Sequence, residues 1–435
     1  VPFVWLGTLH PDLETWLGVD ALEAPLRHRL HLVPFEKDVA GYLNGADVMA
    51  LTSREDPFPS TVMEALAAGL PVVAFEGGGG YVEAVRRHAA NGSTVPMADT
   101  AAMSAQVLRW LATDTEEQKL ARAASAADEY NWRDYVFGLL QVLDPSLKKV
   151  SVVVPNYNYA KFLPERLQSI LSQTYPIYEL IVLDDASQDD SIAVVEAVLS
   201  AASREARMVA NEENSGSVFT QWERGSAMAR GEYLWIAEAD DSCTPEFVGD
   251  LMALMEPQVA LAFSDSAQVD QDGRRLGDSY AFYYADLPQN PLVASGVMDG
   301  AAFVDRALSI KNVILNVSSV IFRRNCFVDA FNDLRDEIRT YRMAGDWRLY
   351  GELLARPGAK IAYNARANNV HRRHAASVTH SLHAERHVAE IARVQQHLRV
   401  KFNLSARTVE SSDRYLAAVS DRLLERPAGM AKGSA

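Results

Sequence analysis

Three short apolar runs between residues 150 and 242 each end on polar or acidic residues: VSVVVPNYNY, ELIVLDDASQDDS and GEYLWIAEADDS. Residues 151–155, 178–184 and 233–237 are β-branched and aromatic, too short for helices and almost continuously apolar. That is the pattern of strands buried on both faces of a parallel sheet. Helical spacing fills the intervals. Pro164 suits a first helical turn and precedes Leu167, Ile170 and Leu171, and Ile192, Val195, Val198 and Leu199 repeat the period after Ser187. Strands alternating with helices predict an α/β fold with a right-handed, mostly parallel sheet. Ligands of such sheets bind beyond the carboxyl ends of the strands, where Asp184, Asp185, Glu238, Asp240 and Asp241 fall. Crowded carboxylates repel one another, so the pattern predicts a divalent cation, and hard oxygen ligands beside a diphosphate suit Mg²⁺ or Mn²⁺.

The PNYN opening at Pro155, the Asp184-Asp185-Ala186-Ser187 turn, Asn214-Ser215-Gly216, the ARGEY lead-in ending at Tyr233 and the Glu238-Ala239-Asp240-Asp241 cluster together resemble inverting glycosyltransferases of family 2. That family has the GT-A fold. Any one piece is a weak signal, but five in order over about ninety residues are specific. The family usually begins its acidic motif with Asp, whereas Glu238 stands here, so the resemblance places metal and diphosphate contacts mainly on Asp240 and Asp241. It implies a donor site of Pro155, Tyr157, Asp184, Asp185 and Asp240. Tyr157 would stack on the nucleobase, the alternative being an aromatic that closes the core. Asp185 would accept from base or ribose while Asp184 holds the loop, the alternative being a helix cap.

The segment AGDWRLY at 344–350 is similar to the family's second acidic motif, which makes Asp346 the implied general base and the neighbouring Trp347 a platform for a sugar ring. HRRHAASVT at 371–379 is similar to a pattern that closes over the donor. There His374 would ligate the metal or touch the diphosphate, and Arg372 and Arg373 would offset phosphate charge. Trp222 and Trp235 sit in apolar patterns and read as core. The family 2-like domain is set at 150–380, with an amphipathic helical tail at 381–435 whose Ile391, Val394, Leu398 and Phe402 share a face. That face packs on the domain, contacts another subunit or lies on a membrane surface; the balanced charge of the tail favours the last least.

Residues 1–143 read as a second α/β unit that begins in mid-strand, which predicts an N-terminal truncation. Strands are expected at 30–33, 48–51 and 72–75, a helix at 61–68 stopped by Gly69 and Pro71, and one helix over 109–135 with Trp110, Leu111, Leu120 and Ala124 on one side. SREDPFP at 53–59, EALAAGLP at 64–71 and the glycines at 77–80 resemble the donor-binding half of retaining glycosyltransferases of family 4, which have the GT-B fold. The resemblance gives a partial donor site of Asp56, Glu64, Gly78 and Gly79. Glu64 would accept ribose hydroxyls near a helix N-terminus and the glycine loop would face a phosphate. The structural alternative is a glutamate favouring the helix dipole and a loose turn.

A net charge of -15 excludes nucleic acid as a partner. The two cysteines, Cys243 and Cys326, give neither zinc spacing nor a disulfide framework, and fit the cytoplasm. No apolar run approaches the length of a spanning helix, so membrane contact would be peripheral, at the inner face of the cell membrane. The expected partners are a nucleotide-diphosphate sugar and a saccharide or lipid-linked saccharide acceptor. A nucleotidyltransferase would also gather carboxylates and Mg²⁺, but it needs a basic glycine-rich loop where Pro155-Asn-Tyr-Asn-Tyr159 stands. A non-catalytic scaffold is the other rival. Oligomeric state is not legible.

Overall fold

The computed structural model describes residues 1–8, 12, 29–373 and 384–424. They form two compact units, Val1–Leu143 and Asp144–Ala435, so the helical tail belongs to the second unit.

In the first unit β1 (Phe3–Leu6) and β2 (Leu30–Val33) pair in parallel. A separate parallel sheet has the order β3 (Met49–Leu51), β4 (Val72–Phe75), β5 (Gly92–Val95). Successive strand side chains point to opposite faces, and the core divides accordingly. Val72 and Ala74 pack with Val62, Leu66 and Tyr81, whereas Val73 and Phe75 pack with Met103, Val107 and Trp110. The single helix expected over 109–135 is instead three: Thr100–Thr113, Glu116–Glu129 and Trp132–Leu143. Thr115 accepts from the Gln118 amide while the Gln118 side chain accepts from the Thr115 amide, a capping box that starts a new helix and leaves Leu120 exposed.

The second unit is built on a ten-stranded sheet. Its strands are β6 (Val150–Asn156), β7 (Glu179–Asp184), β8 (Arg207–Ala210), β9 (Tyr233–Ile236), β10 (Ser242–Cys243), β11 (Val259–Asp270), β12 (Arg275–Gly277), β13 (Gly296–Asp299), β14 (Val320–Arg323) and β15 (Lys360–Arg373). The path runs β10-β15-β11-β14-β9-β6-β7-β8, with β12 on β11 and β13 on β15. β9, β6, β7 and β8 are mutually parallel, as the βαβ pattern requires. Beyond β9 the pairing turns antiparallel at β14 and again at β11, so the sheet is mixed rather than mostly parallel. The regular alternation of parallel strand and helix holds from β6 to β9, and β11 with β15 is a further parallel pair within the antiparallel part. The chain leaves β6 toward β7 and β8 and then crosses back to β9 on the other side of β6, which creates the topological switch where such sheets bind ligands.

Val150, Val152 and Val154 of β6 pack on Leu163, Leu167 and Ile170 of the helix Leu163–Leu171. Val153 points to the other face, where the helix Val218–Met228 crosses so closely that a Cβ on Gly225 would stand 2.4 Å from Val153 Cγ1. Gly225→Ala gains about 1 kcal/mol of helix propensity but drives a methyl into a stiff β-branched neighbour, so a net loss of about 1–2 kcal/mol is expected in urea unfolding. An unchanged or raised unfolding midpoint would contradict that contact. The tail helices Ala384–Lys401 and Ala406–Leu424 insert Ile391, Val394, Leu398 and Val419 into the same core. Of the three readings of the tail face, the described residues fit packing on its own domain.

Candidate functional site

The carboxyl ends of β6, β7 and β9 open on a cavity of about 540 Å³ whose wall includes Pro155, Tyr157, Asp185, Glu238, Asp240 and Asp346. Asp185 follows β7, with its amide bonded to the Asn156 carbonyl at 2.8 Å. Its Oδ1 accepts from Asn211 Nδ2 at 2.6 Å, the Ser215 amide at 2.9 Å and Gln221 Nε2 at 2.7 Å, and its Oδ2 accepts from Ser215 Oγ at 2.8 Å. The buried carboxylate thus ties the loop after β8 to the cavity wall. Asp184 does different work. Its Oδ1 accepts from the Ser187 amide, and its Oδ2 from Ser187 Oγ and Asn156 Nδ2. It braces a turn in which Ala186 holds φ at +62°, and it is not part of the cavity wall, which removes it from direct donor contact.

Three carboxylates gather past β9. Glu238 Oε1 accepts from the Trp222 indole at 2.9 Å, while Arg166, stacked 5.1 Å over Trp235, donates to the Glu238 carbonyl. Burial first, then the charge of Asp240, pushes the Glu238 carboxyl up to about 8. The same two causes raise Asp241, against the pull of His371 and Arg166. Asp241 Oδ1 accepts from the Arg372 amide at 2.9 Å and Oδ2 from Asn316 Nδ2 at 2.7 Å. Among the described residues no three acidic, His or Cys side chains form a ready metal cage. The donor set nonetheless suits Mg²⁺ or Mn²⁺ held by one or two carboxylates together with diphosphate oxygens, because Glu238, Asp240 and Asp241 bring hard carboxylate oxygens to one cavity.

Asp346, the second residue of the helix Gly345–Leu354, lines the same cavity. Burial raises its carboxyl to about 7, and Asn312 Nδ2 lies 3.4 Å from Oδ2. A Cβ on Gly345 would meet the Phe219 ring at 2.3 Å. That ring stands edge-on to Trp222 with centroids 5.1 Å apart, and Trp222 holds Glu238, so a packed chain joins the two acidic motifs.

Residues 151–311 match the family model described as Glycosyl transferase family 2, and residues 10–127 match Glycosyl transferases group 1. Each of these two segments is thus similar to a glycosyltransferase family. The glycosyltransferase GlyG of Streptococcus pneumoniae serotype 4 is 39% identical over 92 residues, 21% of this chain and 30% of GlyG. A putative teichuronic acid biosynthesis glycosyltransferase of Bacillus subtilis, TuaG, is 29% identical over 128 residues, 29% of this chain and 50% of TuaG. The chain therefore spans from about a third to half of the length of these relatives. The solved structure of S. aureus TarS with UDP-GlcNAc aligns at 20% identity and a TM-score of 0.45, over 64% of this chain and 73% of that one.

Within the family 2 segment and the strands that complete its sheet, several expected residues stand elsewhere than the sequence suggested. Trp347 is buried in the core, its indole donating to the Leu308 carbonyl at 2.7 Å, and it is no sugar platform. One helical step of about 100° separates it from Asp346, so both cannot face the cavity. Arg372 lines the cavity, yet Nε donates to the Asp240 carbonyl, Nη1 to the Asp270 carbonyl and Nη2 to Glu165 Oε2. Its guanidinium braces the acidic motif from behind rather than standing ready for phosphate. Arg373 is exposed and off the cavity wall. His374 lies outside the described residues. His371, which the sequence did not single out for a role, lines the cavity with Nδ1 2.8 Å from Tyr280 Oη.

In the group 1 segment Asp56, Gly78 and Gly79 do come together. The Asp56 amide donates to the Gly78 carbonyl at 2.8 Å, and a Cβ on Gly79 would fall 1.7 Å from the Asp56 carbonyl oxygen. The glycines are thus required for two loops to pack. Glu64 is exposed at the fifth position of the helix Ser60–Ala67, outside its first turn, so neither the N-terminal ribose contact nor the dipole argument applies to it.

Proposed function

We propose that the second unit transfers a sugar from a nucleotide-diphosphate donor to a hydroxyl of a saccharide or lipid-linked saccharide, with inversion, in the assembly of a bacterial cell-surface polysaccharide. The observation that carries this reading is one cavity lined both by Glu238, Asp240 and Asp241 and by Asp346. The likeness to TuaG, named for teichuronic acid biosynthesis, supports the product class. Tyr157, half exposed at the cavity, offers a face to the base, and Asp185 and its loop border the nucleoside side. Asp240 and Asp241, both on the cavity lining, are the proposed metal ligands. When bound, Mg²⁺ or Mn²⁺ would neutralise the departing diphosphate. Asp346, kept in a poorly solvated position, takes the proton of the acceptor hydroxyl as its oxygen attacks the anomeric carbon from the side opposite the diphosphate. No described helix is long and apolar enough to cross a membrane, and a nucleotide-sugar donor places the reaction on the cytoplasmic side, at the membrane face if the acceptor is lipid-linked. The group 1 unit, with its partial donor site, is proposed as the remnant or portion of a second transferase.

Calorimetry with UDP, GDP and other nucleoside diphosphates tests this. Binding of at least one of them in Mn²⁺ and its loss in EDTA are expected. Absence of binding in every metal condition would favour the scaffold reading.

A further inference from the structure

The helix Gly345–Leu354 starts badly by its own sequence. Ala344 occupies the cap position with no side chain able to accept from the first amides, and glycine follows it. The missing acceptor comes from the tail. Glu390, on the helix Ala384–Lys401 and only 6% exposed, receives the Arg342 amide on Oε1 at 2.9 Å and the Met343 and Ala344 amides on Oε2 at 2.9 and 3.1 Å. Arg386 pairs with the same carboxylate at 3.2 Å. The clamped turn is itself cavity wall, since Tyr341, Arg342 and Met343 all line the cavity. Arg342 also reaches across to donate to the Gly216 carbonyl at 3.0 Å, on the loop held by Asp185.

We infer that Glu390 is a positioning residue for the transfer reaction: by collecting three consecutive backbone amides it fixes the turn that sets Asp346 against the acceptor. This rests on the role proposed for Asp346. A negative charge at a helix N-terminus also stabilises that helix, so a carboxylate suits the position better than an amide. Near Asp346, Asn312 Nδ2 and the Trp347 amide donate to its carboxylate, Tyr350 of its own helix feels both its charge and that of Glu238, and Arg342 shares the cavity lining. Burial is the main reason the Asp346 carboxyl is raised, and the charge of Glu390 adds to it in the same direction.

The test uses the 435-residue chain and two readings. One is nucleoside diphosphate release from UDP- and GDP-sugars with water as acceptor. The other is the carbon-13 titration of the Asp346 carboxyl, assigned with Asp346→Asn. In Glu390→Gln the release rate should fall on the order of 10–100-fold with donor KM unchanged, and Asp346 should titrate at lower pH. Glu390→Asp, which keeps the charge on a shorter stem, should restore the titration more fully than the rate. A purely structural role would reduce the folded fraction without moving the Asp346 titration, and that result overturns the proposal. So does a Gln variant that matches wild type in both readings. Should the Gln variant not fold, Glu390→Asp carries the decision: a reduced rate per folded molecule at wild-type donor KM supports the proposal, and a wild-type rate overturns it. If Asp346→Asn keeps full activity, the base assignment falls instead, and the titration separates that outcome from failure of the Glu390 clamp.

Discussion

Asp346→Asn is expected to lower sugar transfer by about 10²–10⁴-fold while nucleotide affinity stays unchanged, because a general base acts on the acceptor and not on the donor. The amide is nearly isosteric and can keep its oxygen on the Trp347 amide, which donates to Oδ1 at 2.6 Å, while the longer 3.4 Å approach of Asn312 can be met by turning that side-chain amide, so the helix that carries it should stay in place. Rate and calorimetry on the same preparation separate the outcomes. A parallel loss of donor affinity would move Asp346 to the donor side. The pH dependence has a definite sign. With the carboxyl at about 7, transfer should fall roughly tenfold per unit as pH drops below that value, since only the ionised form takes a proton. Stability should run the other way. The folded pKa lies above the unfolded value of about 3.9, so between the two the native chain holds the extra proton and this group's contribution declines as pH rises toward about 7.

The double replacement Asp240→Asn with Asp241→Asn should abolish the metal-dependent part of nucleotide binding, a loss of about two orders of magnitude in affinity or more. The single variants should divide the effect. Asp240 is part-buried on the cavity wall, and its loss should weaken binding in Mn²⁺ with little change in unfolding. Asp241 is buried and accepts from Arg372 and Asn316, so an amide there leaves at least one donor poorly met and should lower stability by about 1–3 kcal/mol. Equal effects of the two on unfolding, or full metal-dependent binding by the double variant, would contradict the assignment.

The strands that frame the cavity were legible because they are buried on both faces: β6, β7 and β9 lie within one or two residues of the apolar runs at 151–155, 178–184 and 233–237. Their carboxyl ends, with Asp185, Glu238 and Asp240, follow from that placement. Less accessible was everything decided by packing between distant segments. Trp222 read as core from its apolar helix, and it is buried, but its indole also fixes Glu238. Arg372 looked like a phosphate ligand because a guanidinium in a basic stretch suits anions, and nothing local announces partners at 165, 240 and 270. Glu390 sits in an ordinary amphipathic pattern, and its role is visible only once the amides at 342–344 are seen to lack a local acceptor. The helix break at Thr115, by contrast, was written locally in Thr-x-x-Gln.

The contacts of Arg372 bear on the order in which the chain acquires its site. They join β15 to Glu165, 207 positions earlier, and to Asp240 and Asp241, more than 130 earlier. Loop closure over such separations is slow and is rewarded only when both ends are already structured. The parallel strands β6 to β9 are contiguous in sequence and can assemble first, with their acidic edge still splayed by its own repulsion. Only when the penultimate region of the unit docks does Arg372 draw that edge together, so a chain emerging from the ribosome should hold its fold for some time before it holds its ligand.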